Sequence, residues 1–185
     1  MSWFDDGSPI VTIVGERVAL GPVRKELMPI FGRWFNDFPT TRALGDIFPP
    51  MTETQLDAWY EMEITTSDLI PFTVYERAGA SMMPIGTTAL IGLDWRNRTA
   101  EFGIIIGEPS ARGRGYGTEV TRLMRAYAFD TLGLRTLMLT VYSFQTAGIR
   151  AYEKAGYRII GRQREVYFLA GRWWDRVYME TLAGA

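Results

Sequence analysis

The stretch Ala100-Glu101-Phe102-Gly103-Ile104-Ile105-Ile106-Gly107-Glu108-Pro109-Ser110-Ala111-Arg112-Gly113-Arg114-Gly115-Tyr116-Gly117-Thr118-Glu119 is the most informative part of the chain. It reads as a hydrophobic strand, Ala100 to Ile106, that runs into a loop. Gly113, Gly115 and Gly117 alternate along that loop, which then opens a helix. A helix N-terminus presents N–H groups without intrahelical partners and a partial positive charge. Glycines let an anion come close to such a backbone. Arg112 and Arg114 add charge beside it. Together these features predict a pyrophosphate cradle. A Walker loop fits less well, because Thr118 follows Gly117 with no Lys between them. A dinucleotide fingerprint needs a third glycine where Thr118 stands. It also needs an acid after the next strand, where this chain has Tyr142 and Ser143. A glycine turn without a ligand is the remaining alternative.

Downstream, Val120, Leu123, Met124, Tyr127 and Ala128 recur at helical spacing, and Gly133 is placed to stop that helix. Thr136 to Val141 reads as a strand, and Ser143 as the cap of a helix that ends at Gly156. Tyr157–Ile160, Glu165–Leu169 and Val177–Thr181 read as strand, with Gly171 turning the last hairpin. Upstream, Pro71–Glu76 and Ile85–Asp94 join Ala100–Ile106 through short turns, which implies antiparallel pairing. Ile10 to Val23 contains two short strands around Gly15-Glu16. A helix begins near Pro29 with the stripe Leu27, Ile30, Phe31, Trp34, Phe35 and Phe38. Thr40 to Pro50 reads as a loop. Thr52 and Gln55 form a capping-box signature for a helix with Leu56, Trp59, Tyr60 and Ile64 on its apolar face. The expected class is α+β (mixed α/β), with a largely antiparallel sheet.

Composition removes whole chemistries. The 185 residues are 47% hydrophobic, which suits one domain over 1–185. There is no cysteine and no histidine, so disulfides, thiolate nucleophiles, Cys/His zinc sites and histidine triads are excluded, and no metal is expected. Acid–base work falls to Asp, Glu, Tyr, Lys, a terminus or water. Net charge is -1 and no basic stripe is present, so nucleic acid is not an expected partner. No window has the apolar length of a membrane span. Met1 to Asp6 lacks the order of a signal peptide, and a cytoplasmic location is the expectation.

Arg112-x-x-Gly115-x-Gly117 resembles the Arg/Gln-x-x-Gly-x-Gly/Ala signature of the GNAT acetyltransferase superfamily. The run Ala147-Gly148-Ile149-Arg150-Ala151-Tyr152-Glu153-Lys154-Ala155-Gly156-Tyr157 is similar to that family's Ala-x-x-Leu-Tyr-Glu-Lys-x-Gly-Phe segment. Glu16 to Leu20 and the hairpin Gly171 to Met179 resemble the branch that acetylates ribosomal-protein N-termini, which also holds polyamine and antibiotic acetyltransferases. The resemblance implies a single N-acetyltransferase domain with six to seven strands, a splayed central strand pair and about four helices. It implies acetyl-CoA as co-substrate, its pyrophosphate held by the backbone at Arg112, Gly113, Arg114, Gly115, Tyr116, Gly117 and Thr118. Ile104, Ile105 and Ile106 would pair with the pantetheine arm. Tyr152 would protonate the leaving thiolate, and Glu101 matches a base glutamate of the histone-acetylating branch. Gln145 stands where the family often has an Asn that contacts the coenzyme.

The acceptor should be chosen by the first two helices, the loop between them and the last hairpin. These offer Trp34, Asp37, Phe38, Asp46, Phe48, Trp59, Glu61 and Glu63, with Trp173 and Trp174. Aromatic rings with carboxylates suit a cationic amine. Three acceptors fit: a protein N-terminal amine, slightly favoured by the branch resemblance, a polyamine, or an aminoglycoside-like antibiotic. A catalytically silent acyl-CoA-binding module and a dinucleotide oxidoreductase are the rival classes. A homodimer through the sheet edge or the C-terminal hairpin is an open arrangement.

Overall fold

The computed structural model describes residues 9–42, 44, 49–79 and 81–184. Its centre is one sheet of eight strands in the order β1-β2-β3-β4-β5-β6-β8-β7. In chain order these are β1 Ile13–Val14, β2 Val18–Gly21, β3 Leu69–Ala78, β4 Ser81–Asp94, β5 Thr99–Ile106, β6 Thr136–Tyr142, β7 Arg158–Leu169 and β8 Arg172–Leu182. The helices are α1 Met28–Phe35, α2 Phe38–Thr41, α3 Glu53–Thr65, α4 Tyr116–Ala126 and α5 Thr146–Lys154. Every neighbouring pair is antiparallel except β5–β6, which is parallel and is bridged by α4. The α+β class and the antiparallel sheet are as expected. The sheet has eight strands, because the short β1–β2 hairpin joins it and the two strand readings after Gly156 fuse into one bulged strand, β7. Among the described residues no helix is long and apolar enough to cross a membrane.

The sheet separates two apolar layers. On one face Val18, Leu20, Val74, Leu90, Phe102 and Leu137 pack with Val120 and Met124 of α4. On the other, Phe31, Trp34 and Phe35 of α1 pack with Leu56 of α3. β5 shows the alternation that permits this, since Ile104 and Ile106 join the first layer and Ile105 the second. The α3 capping box is fully formed: Gln55 N–H donates to Thr52 Oγ1 at 3.4 Å, and Thr52 N–H donates to Gln55 Oε1 at 2.8 Å.

Four local expectations need correction. Phe38 does not extend the α1 stripe; Asn36 ends that helix, and Phe38 opens α2 with 59% of its surface exposed. Ser143 does not cap α5. Its hydroxyl oxygen accepts from Asp175 N–H at 3.1 Å, and Gln145 occupies the cap position. The helix through Tyr127 widens into a π turn, Tyr127–Thr131, with Leu132 N–H donating to Tyr127 O at 3.0 Å before Gly133 turns the chain. Ser81 to Pro84 belong to β4, where Pro84 sits at a bulge opposite Tyr75.

Gly107 decides how α1 meets the end of β5. A Cβ there would lie 2.2 Å from the Trp34 ring. Gly107→Ala is expected to cost about 1–3 kcal/mol through overpacking, read as a lower urea midpoint. Tyr157 is buried in the main core, and its hydroxyl has no hydrogen-bond partner among the described residues. Tyr157→Phe removes an unpaid desolvation, so it should stabilise by about 1 kcal/mol and raise Tm; a lower Tm would contradict this reading of the hydroxyl.

Candidate active site

The central feature is a fork. β5 pairs with β4 from Thr99 to Ile106, but it meets β6 only at Thr99–Thr136, Ala100–Leu137 and Glu101–Met138. Beyond Glu101 the strands part, and β6 continues along β8 as far as the pair Tyr142–Arg176. Among the described residues, Phe102 to Ile106 therefore have no strand on their β6 side. Strand N–H and C=O groups alternate along such an edge, so it offers a hydrogen-bonding ladder to an extended ligand. A cavity of about 580 Å³ opens between the fork and the helices α4 and α5. A second, of about 430 Å³, opens on the α1–α3 face. Both are lined by Glu101, Gly103, Ile104, Ile105, Thr140 and Tyr142, so they meet through the fork.

The glycine loop closes one end of the larger cavity. A short 3₁₀ turn, Pro109–Ala111, uses the Arg112 N–H, which donates to Pro109 O at 3.2 Å. The chain then takes positive φ at Gly113 (71°) and Gly115 (85°), and Gly115 starts α4. Among the described residues, the backbone N–H groups from Gly113 to Thr118 find no acceptor within the chain. Gly117 lines the cavity, and a Cβ there would meet nothing within 4 Å. Free amides, a helix N-terminus and open space suit a pyrophosphate.

The two arginines are used otherwise than expected. Arg112 Nε donates to Ile106 O at 3.1 Å, and its Nη2 donates to Gly107 O at 2.8 Å. The same Nη2 donates to Thr40 Oγ1 and lies 3.9 Å from Asp37 Oδ2. This guanidinium ties the loop to the end of β5 and to α2. Arg114 pairs with Glu76 at 3.0 Å. The Tyr116 ring lies between Arg114 and Arg17, at 5.0 and 5.1 Å, and its hydroxyl donates to Glu76 Oε1 at 2.5 Å. Glu119 accepts the Arg17 N–H at 2.8 Å. Carboxylates already surround both guanidiniums, so they hold the loop in place and leave its amides free for the anion.

Tyr152 projects from α5 into the larger cavity. Its ring meets Phe102 edge-on at 6.3 Å and lies 6.3 Å from Tyr157. Burial pushes its phenol up to about 12, so it keeps its proton at neutral pH. Gln145 also lines the cavity. Its Oε1 accepts from Tyr142 N–H at 3.0 Å, which commits the oxygen to the β6–α5 turn and leaves the side-chain NH₂ as the group that can face a ligand.

The smaller cavity receives few of the acceptor residues expected from sequence. Trp59 lines it, edge-on to Phe35 at 5.0 Å, and so do Glu63 and the exposed Glu101 at the fork. Burial pushes the Glu63 carboxyl up from 4.5 to about 7. Trp34 is 3% exposed and packs under Gly107. Asp37 caps α2, Glu61 faces solvent and Trp173 is exposed. Trp174 donates to Leu169 O and packs on Phe144. Asp46 and Phe48 lie outside the described residues. Arg176 and Tyr142 were not anticipated. They come from strands distant in sequence and share this wall only because β6 and β8 pair.

Comparison with known proteins agrees with this geometry. The family model for the acetyltransferase (GNAT) domain matches residues 17–158. An uncharacterized N-acetyltransferase derived from the SPbeta prophage of Bacillus subtilis is 25% identical over 163 residues, 88% of each chain. Spermidine N(1)-acetyltransferase of Vibrio cholerae is 32% identical over 97 residues, 51% of this chain and 56% of that one. Among solved structures, the V. cholerae spermidine N-acetyltransferase in complex with CoA and spermine superposes with a TM-score of 0.79 at 24% identity, covering 90% of this chain and 95% of that one. A GNAT-family acetyltransferase from Bacillus anthracis gives a TM-score of 0.77 at 19% identity, covering 92% and 97%. With a forked parallel strand pair, a free-amide glycine loop and a family match over most of its length, the chain belongs to the GNAT acetyltransferase family.

Proposed function

We propose that this protein transfers an acetyl group from acetyl-CoA to a primary amine by direct attack within a ternary complex. The observation that carries the reading is the fork, whose two cavities admit a donor from the α4–α5 face and an acceptor from the α1–α3 face. The chain fits the donor. Free amides from Gly113 to Thr118 would hold the pyrophosphate, and the open edge of β5 at Ile104, Ile105 and Ile106 would align the pantetheine arm. Acetyl-CoA supplies the thioester whose acyl group moves.

The rest of the chemistry falls to side chains and backbone. An N–H of the open β5 edge near Ile104 steadies the oxyanion that develops on the carbonyl. Tyr152, held protonated by burial, gives its proton to the departing sulfur. The acceptor arrives mainly as an ammonium and must lose a proton first. Two carboxylates line its cavity. Glu101 stands where the fork opens, and Glu63 has a carboxyl that is half ionised near neutral pH, the range in which a base works best. Glu63 is assigned the proton, with Glu101 polarising the approach. No cysteine is present to carry an acyl group. A protein N-terminal amine remains the slightly favoured acceptor, and a polyamine is the second reading, supported by the spermidine acetyltransferases among the relatives.

Acetyl-CoA-dependent thiol release over peptide N-termini, polyamines and aminoglycosides tests the activity. Turnover of any one class supports it; absence of acetyl-CoA binding would refute it. Tyr152→Phe should lower kcat by about 10²–10⁴-fold while acetyl-CoA still binds. The acid limb of kcat/KM should rise through about pH 7 as Glu63 ionises. Glu63→Gln should lower activity and abolish that limb, whereas Glu101→Gln should lower activity and keep it. The stability linkage has the opposite sign: folded Glu63 binds its proton more tightly, so its contribution to stability falls as pH rises from 4.5 to about 7, and Glu63→Gln should remove that slope.

A further inference from the structure

Arg176 is a half-buried cation in the acceptor cavity, and among the described residues no carboxylate is ion-paired with it. Its Nη2 donates to Tyr142 Oη at 3.0 Å, and its guanidinium lies 5.6 Å from the centre of that ring. Its cross-strand neighbours are Tyr142 on β6 and Gln163 on β7, both uncharged. Along β8 the residues on its face are Trp174 and Tyr178, also uncharged. The adjacent Asp175 belongs to the opposite face, where it pairs with Arg162 at 3.9 Å and accepts the Glu165 N–H. What distinguishes Arg176 from the other arginines without an ion pair among the described residues is its place on the wall of this cavity. A guanidinium taken partly out of water without a counter-ion is costly, and a carboxylate is its best-matched partner.

Resting on the acetyl-transfer reading above, we propose that the acceptor carries a carboxylate as well as its amine, and that Arg176 receives this carboxylate. The cavity has opposite charges at its two sides. Glu63 on α3 and Glu101 on β5 face the amine's approach, and Arg176 on β8 faces them across the fork. β8 lies one strand beyond β6, and Arg176 pairs with Tyr142, past the point where β6 leaves β5, so its backbone stands farther from β5 than the roughly 10 Å of two ordinary strand spacings, and its long side chain spans part of that gap. An amine near β5 and a carboxylate met by the Arg176 side chain are then several bonds apart, as in an ω-amino acid or the first two residues of a peptide. A polyamine would bring further ammonium groups against Arg176, which is repulsive.

The test uses the full chain and acceptors offered in pairs, each as its carboxylate and as the matching carboxamide. One arm uses small ω-amino acids and their amides. The other uses short peptides with Glu or Gln at the second position and an amidated C-terminus. Spermidine serves as the polycation. In at least one arm the carboxylate should be preferred about tenfold or more in kcat/KM, through KM, and the arm that shows it tells small molecule from peptide. Arg176→Gln should raise KM for the carboxylate and leave the carboxamide within about threefold of wild type, bringing the pair to near parity. Equal rates on both members of every pair, or spermidine preferred over all of them, would overturn the proposal. So would an Arg176→Gln effect that is equal on carboxylate and carboxamide, which would mark Arg176 as a support for Tyr142. All these outcomes involve turnover and leave acetyl transfer standing. Failure of the parent reading shows separately, as wild-type protein that binds no acetyl-CoA by calorimetry, and it takes this proposal with it.

Discussion

The parting of β5 from β6 after three paired residues is the constraint on which everything else in the molecule depends. A strand inside a sheet normally spends its N–H and C=O groups on both neighbours. Here Phe102 to Ile105 pair along β4 alone, the Ile106 carbonyl is taken by Arg112, and the side that should meet β6 is open. Unpaired backbone in the middle of a sheet would be expensive if it were buried dry. The two cavities that meet at the fork keep it accessible.

Holding the fork open requires support at both ends. At the closed end, β6 is anchored by seven register pairs with β8, so it cannot swing back toward β5 without carrying β8 with it. At the open end, Arg112 grips the carbonyls of Ile106 and Gly107 and reaches Thr40, while Trp34 sits against Gly107. The ion pairs Arg17–Glu119 and Arg114–Glu76 fasten the glycine loop and α4 to β2 and β3. These exposed pairs add little stability individually. Their effect is geometric, fixing the direction in which the free amides point. On the proposed reading, donor binding rests on backbone, and acceptor choice on side chains gathered from α3, β5, β6 and β8.

The sheet elements were largely legible from local pattern. Alternating apolar runs, the Thr52–Gln55 box and the glycines at 133, 156 and 171 all act through near neighbours, and each appears where the pattern places it. The errors share a cause in tertiary competition. Ser143 looks like a cap but is claimed by Asp175 of a distant strand, and the Arg112 and Arg114 side chains look available until Asp37 and Glu76 arrive beside them.

The sequence by itself determined the donor side of this protein. The glycine loop and the Tyr152 helix are contiguous motifs whose spacing along the chain is their geometry, because helix N-termini and positive-φ turns are made by residues a few positions apart. Only the tertiary structure decided the acceptor side. Glu63 and Glu101 could be named from the sequence, Tyr142 and Arg176 could not, and the four come from elements spread over more than a hundred positions that only the fold brings to one cavity. Their charges acquire meaning from burial and from missing partners, which exist only once the sheet has formed and its central strands have separated.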